Sequence, residues 1–304
     1  MRRRESRVQA MRRRRSWIIG FLGVLAICLL VVLGTDVLTR WLGSEKALPT
    51  GEKVAVVRVE GMVLDARQVV EALERQAKDP KVKAIVLRVD SPGGAVAPTQ
   101  EIFRAVRALS KKKRVVASLG SMATSGGYYV ACAAERIVAN PGTLTGSIGV
   151  VVHLANFEKL LSKLGIEGQV VKSGDFKDMG SMYRPLSERE RNILQEVVND
   201  VHEQFVEDVA RSRNMELEKV RTIADGRIFS GRQAKGLGLV DELGGLKEAI
   251  QLAAKMAQIK GEPLVLEEPK EKFSLLRWLL DSSFGSLVTN REYLLSGILF
   301  LFQP

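Results

Sequence analysis

A chain of 304 residues with 46% hydrophobic content can build one large core or two ordinary ones. The net charge of +11 points first to nucleic acid, but residues 1–16 hold eight arginines against one acid, Glu5. The rest of the chain is only weakly basic, which argues against a phosphate-binding face. Two cysteines and two histidines, scattered as Cys28, Cys132, His153 and His202, exclude a disulfide scaffold and a Cys/His metal cluster.

In chain order, an arginine-rich head over residues 1–15 leads into Ser16 to Thr35, which carries no charge. As a helix those 20 residues would span roughly 30 Å, about one bilayer core. Trp17 and Trp41 suit the two interfaces. A cleaved signal peptide would need a small-x-small site, and Leu33-Gly34-Thr35-Asp36 matches one poorly. The reading is therefore a transmembrane anchor over 16–35, with the N-terminus in the cytoplasm and the rest of the chain outside. Residues 36–53, with Pro49 and Gly51, read as a linker.

Short apolar runs then alternate with helical spacing. Strands are expected at 54–59, 84–89, 115–119, 137–139 and 169–171. Helices are expected at 66–78, 98–110, 126–134, 156–164, 187–213, 231–236 and 245–258. Alternation of this kind argues for an α/β domain with a largely parallel sheet, over residues 54–262. Residues 263–304 form an extension whose final apolar stretch, Tyr293 to Phe302, is too short to span a bilayer. It could pack on a neighbour, lie on the membrane, or dock in a groove that binds apolar peptides.

Three places could carry chemistry. Ser125 follows the run 115–119 and precedes a helical stretch of small residues, so its hydroxyl stands at a strand-to-helix turn. Its bland role would be a helix N-cap. Asp90-Ser91-Pro92-Gly93-Gly94 ends another strand. By itself it is a tight turn, yet the N–H groups of Gly94 and Gly126 could together form an oxyanion hole. A serine needs a base, and neither histidine sits in a triad setting. Lys177 is the candidate, with Lys172 a rival five residues away. Such a lysine must fall from about 10.4 to roughly 7–8 to work at neutral pH, a shift that burial of the ammonium can supply. Ser147 could hold the amine by a hydrogen bond, or be a plain strand-end serine.

Taken together, ordered blocks over Val54 to Met256 resemble the signal peptide peptidase A (protease IV) family of membrane-anchored serine proteases, in its short bacterial form. The blocks are Asp90-Ser91-Pro92-Gly93-Gly94, Gly120-Ser121-Met122-Ala123-Thr124-Ser125-Gly126-Gly127-Tyr128-Tyr129, Leu144-Thr145-Gly146-Ser147-Ile148-Gly149, Ser173-Gly174-x-x-Lys177 and Ala224-Asp225-Gly226-Arg227. Gly231-Arg232-Gln233-Ala234 and Gly238-Leu239-Val240-Asp241-Glu242-Leu243-Gly244 continue the match. The resemblance implies a Clp-protease/crotonase-like spiral of β-β-α units and a Ser–Lys dyad. In it Ser125 is the nucleophile, Lys177 the general base, Ser147 the residue that positions Lys177, and Gly94 and Gly126 the oxyanion hole. It further implies no cofactor, a homo-oligomer, and signal-peptide or other apolar peptide substrates at the membrane. Three other readings are a related Ser–Lys protease cutting apolar tails of stomatin-like proteins, a crotonase-like acyl-CoA enzyme, and a non-catalytic scaffold.

Overall fold

The computed structural model describes residues 51–267 and 299–301. The arginine-rich head, the apolar segment 16–35, nearly all of the linker and most of the C-terminal extension lie outside them. Among the described residues no helix is long and apolar enough to cross a membrane.

Three parallel strands form the centre: β1 (Lys53–Val63), β2 (Val82–Ala95) and β3 (Arg114–Thr124). They read as near-continuous apolar runs because both faces of the sheet are covered. On one face α1 (Arg67–Lys78), α2 (Val96–Ser110), α3 (Gly126–Ala131) and the C-terminal half of α5 (Glu188–Arg213) surround Val57, Leu87, Ile85 and Leu119. On the other, Val54, Val56, Val86 and Val116 meet Ala249 and Ala253 of α8 (Leu246–Met256). The alternation of Val54 and Val56 with Ala55 and Val57 between the two clusters is the period of two that a strand imposes.

Six short strands complete a mixed sheet. β8 (Leu264–Glu267) lies parallel beside β1. β3 splits its free edge: Val116–Ser118 pair with β4 (Arg136–Ala139), and Met122–Thr124 with β5 (Leu144–Gly146). β6 (Ile228–Ser230) runs antiparallel to β5, and β7 (Glu242–Leu243) parallel to β4. β9 (Leu299–Leu301) pairs antiparallel with Gly93–Ala95. The helices α4 (Glu158–Lys163), α6 (Leu217–Arg221) and α7 (Gly231–Leu237) stand between these strands. Helices on both faces of a mixed sheet fit a Clp-protease-like fold.

Three expectations are corrected. The helix after Ser125 stops at Ala131 rather than 134. The segment Asp90–Gly94 is not a turn but the continuation of β2, paired with Glu60–Val63 of β1 across a register shift at which Gly93 takes φ 111°. Residues 169–171 form no strand; Gln169, Val170 and Val171 are exposed and pair with no strand among the described residues. An apolar run makes a strand only where a partner takes its backbone groups.

Behind α3 lies a buried ion pair. Arg213, whose side chain is 6% exposed, places Nη1 2.9 Å from Asp241 Oδ2. Asp241 also accepts from the Ile137 N–H at 2.7 Å, tying the end of α5 to β4. Burial alone would raise the Asp241 carboxyl, but Arg213, Ile137 and Arg136 hold it below the usual carboxylate value. Its contribution is therefore present above the ordinary carboxylate range and is lost as pH falls through the lower folded value. Asp241→Ala removes the carboxylate partner of the buried Arg213, leaving among the described residues only Gly238 O to accept from it at 3.2 Å, and should cost about 3–5 kcal/mol in urea denaturation at pH 7.

Candidate active site

The backbone of β3 reverses into α3 at Ser125, with φ 52° and ψ −119°. A non-glycine residue adopts such angles only where its surroundings impose them. Two contacts do so. The Ser125 N–H donates to Gly146 O at 2.8 Å, and Tyr129 N–H donates to Ser125 O at 2.9 Å as the helix begins. The Ser125 side chain does not cap α3. Its Oγ is buried and has no hydrogen-bond partner among the described residues. A buried hydroxyl without a partner calls for an explanation, and a strained strand-to-helix turn leaves its oxygen available for chemistry.

Ser147 arrives by the same register. Thr124 pairs with Gly146 across β3 and β5, so Ser147 is the next residue beyond the bond that fixes Ser125. It is buried, also at φ 52°, and its N–H donates to Arg227 O at 2.8 Å. The glycine segment comes from the other side. Ser91 pairs with Ala123, and the Thr124 hydroxyl donates to Pro92 O at 3.3 Å, so Pro92–Gly94 runs beside the turn. A Cβ on Gly127 would stand 2.6 Å from Ser91 O, and one on Gly94 only 2.1 Å from Val63 O. Neither position admits a side chain, because backbone packs directly on backbone there. Gly126 is the buried first residue of α3.

Pairing between β2 and β3 ends at Ser91↔Ala123. Beyond it, Gly93–Ala95 has β1 on one side and is open on the other. The chain's own Leu299–Leu301 takes that open side, antiparallel, with Gly94 opposite Phe300. These three residues of the C-terminal extension thus pair by backbone with the edge that follows Ser91. A cleft of about 970 Å³ between β1, α1 and β8 is separate: Arg58, Glu60, Asp65, Glu71 and Arg75 line it, and no candidate residue does.

Lys177 does not join the cluster within one chain. It lies on an arm, residues 151–189, in which no residue is buried; Lys177 is itself exposed, and among the described residues its side chain makes no hydrogen bond or ion pair. Lys172 is engaged: its ammonium sits 2.7 Å from Asp178 Oδ1 and donates to Asp175 O at 2.8 Å. Of the two lysines, only Lys177 is free to reach another group. His153 is exposed and His202 half-buried on α5, and neither bonds Ser125. Burial pushes the Cys132 thiol up to about 12, so that residue stays an unreactive part of the core. What sequence reasoning missed is the charged group beside Lys177, Asp178 with Arg184 and Glu190. Its one visible trace was the capping pattern Ser187-x-x-Glu190.

Comparison with known proteins gives this geometry a family. A provisionally named protease of Synechocystis sp. is 42% identical over 245 residues, 79% of this chain and 88% of its own length. The chloroplastic serine protease SPPA of Arabidopsis thaliana is 34% identical over 79% of this chain and 36% of its own. A protein of Enterococcus faecium, provisionally named signal peptide peptidase SppA, is 34% identical over 70% of this chain and 67% of its own. The profile of peptidase family S49 matches residues 107–260. With the strained serine turn lying inside that match, the chain belongs to peptidase family S49 and is a serine peptidase of the SppA kind.

Proposed function

We propose that this serine peptidase is a membrane-anchored endopeptidase that uses a Ser125–Lys177 dyad to degrade remnant signal peptides after their release from preproteins. The observation that carries the reading is the buried, unpartnered Ser125 Oγ on its strained turn, next to a glycine edge that accepts an extended backbone. A substrate would add as an antiparallel strand along Gly93–Ala95, as Leu299–Leu301 does. Lys177, as the neutral amine, takes the Ser125 proton while Oγ bonds to the scissile carbonyl carbon. The carbonyl electrons move onto oxygen and are held by the N–H groups of Gly94 and Gly126, each worth about 2.7–4 kcal/mol in such sites. Collapse breaks the C–N bond, and the lysine ammonium gives its proton to the leaving amine. Water repeats the sequence and frees the acid. Ser147 accepts a hydrogen bond from the amine and orients it.

The dyad is completed between copies of the chain. Among the described residues of one copy Ser125 Oγ has no hydrogen-bond partner, and Lys177 is exposed on the arm. The arm that carries Lys177 exposes Leu154, Phe157, Leu160, Leu164, Ile166 and Val171. An apolar surface of this kind suits burial against another subunit. Residues 16–35 anchor the assembly with residues 1–15 in the cytoplasm and the catalytic domain outside, where released signal peptides lie. The name of the Enterococcus faecium relative supports that substrate class.

On a synthetic apolar signal peptide, Ser125→Ala and Lys177→Ala should each lower kcat by about 10³-fold or more with folding retained. Activity of either variant at the wild-type rate would refute its role. Mixing the two inactive variants after dissociation and reassembly should restore part of the activity, as measured by peptide cleavage. Complementation requires that the two residues come from different copies. Deleting residues 299–304 should lower KM for the same peptide without lowering kcat, because the tail and the substrate use one edge.

A further inference from the structure

Catalysis by Lys177 needs its amine placed to within about half an ångström, and misplacement by 1 Å costs about 10²-fold in rate. The arm offers little to achieve this. Its backbone bonds around the lysine are turn contacts only, Lys177 N–H to Gly174 O, Met179 N–H to Phe176 O and Ser181 N–H to Asp178 O. The first buried residue after the arm is Glu190, 3% exposed, in the first turn of α5. That helix runs on to bury Phe205, Val206 and Val209 in the core, so Glu190 is fixed with respect to the sheet.

Arg184 bridges from Glu190 to the lysine. Its Nε and Nη2 donate to Asp178 Oδ2 and Oδ1 at 2.9 and 2.8 Å. Its Nη1 and Nη2 donate to Glu190 Oε2 and Oε1 at 2.9 and 2.5 Å. A planar fork gripping two carboxylates bidentately fixes direction as well as distance, which a single exposed ion pair does not. Glu190 is held in turn by Ser187, whose N–H and hydroxyl donate to Oε2 at 2.9 and 2.8 Å. The other neighbour of the lysine is tied to the same turn of α5: the Arg189 guanidinium lies 5.2 Å from the Phe176 ring centre. Both residues flanking Lys177 are thus fastened to α5, while among the described residues no bond holds its own side chain.

We propose that Arg184 is a positioning residue for Lys177, transmitting the fixed position of Glu190 through Asp178 to the lysine beside it. This rests on the reading of Lys177 as the general base. The Arg184 and Lys172 hydrogen bonds hold the Asp178 carboxyl well below its usual range. Arg184 and the Ser187 N–H hold Glu190 down at about 2. The bridge therefore contributes above the ordinary carboxylate range and is lost only as pH falls towards those low values, so it stays intact through neutral pH.

The test uses the full chain in detergent and compares Arg184→Gln, Arg184→Lys, Asp178→Asn and Lys177→Ala on a fluorogenic apolar peptide. Circular dichroism and assembly mass verify folding. Arg184→Gln should lower kcat about 10- to 100-fold with KM within about twofold. Arg184→Lys, which keeps the charge but grips one carboxylate at a time, should fall between it and wild type. Added to Lys177→Ala, Arg184→Gln should slow the residual rate no further, since it acts through the lysine. If Arg184→Gln does not fold, Asp178→Asn, which leaves the Arg184–Glu190 contact in place, must show the same selective loss of kcat. The proposal is overturned if these variants keep kcat within about twofold of wild type while Lys177→Ala is inactive, or if the loss persists undiminished in the Lys177→Ala background. An active Lys177→Ala would instead remove the base reading on which it rests.

Discussion

The hydrogen bond from the Ser125 N–H to Gly146 O is the contact on which the site's geometry depends. It joins the last residue of β3's turn to the end of β5, and in doing so it sets the positions of Ser125 and Ser147 together. Both serines sit at φ 52°. Such backbone costs on the order of 1–3 kcal/mol per residue and persists only where surrounding packing over-determines it. Here the packing is the buried α3, whose Tyr128 hydroxyl donates to Leu239 O at 2.9 Å and whose Tyr129 ring stacks on Phe103. The aromatic pair behind the turn keeps the hydroxyl in front of it where it is.

The same constraint explains the glycines. Because Gly127 lies against Ser91 O and Gly94 against Val63 O, β1, β2 and α3 approach more closely than side chains would allow. Close approach brings the extended segment Gly93–Ala95 beside the serine turn and leaves its outer side unpaired. An unpaired strand edge is a hazard in most proteins. Here it is covered by Leu299–Leu301, and it supplies the direction in which the proposed substrate would lie.

Body and arm are stabilised by different physics. The body around Ser125 is held by burial on both faces of a sheet. The arm around Lys177 has no buried residue before Glu190 and relies on ionic and cation–π contacts with the first turn of α5. A rigid serine and a lysine on an exposed, apolar-rich arm suit a site assembled from more than one copy.

The sequence by itself determined the α/β class, the three central strands and the serine turn, because these depend on local periodicity and on glycine at fixed places. It also determined the family, since order and spacing of motifs survive without coordinates. Its single-chain reading could not separate Lys172 from Lys177 without that resemblance, and it took Asp90–Gly94 for a turn and 169–171 for a strand. Only the tertiary structure showed the surroundings of these segments. Lys172 is engaged by Asp178, β1 pairs with Gly93 and Gly94, and 169–171 has no partner strand among the described residues. Each depends on a neighbour distant in the chain or on a side chain's bonding partner, and periodicity carries neither.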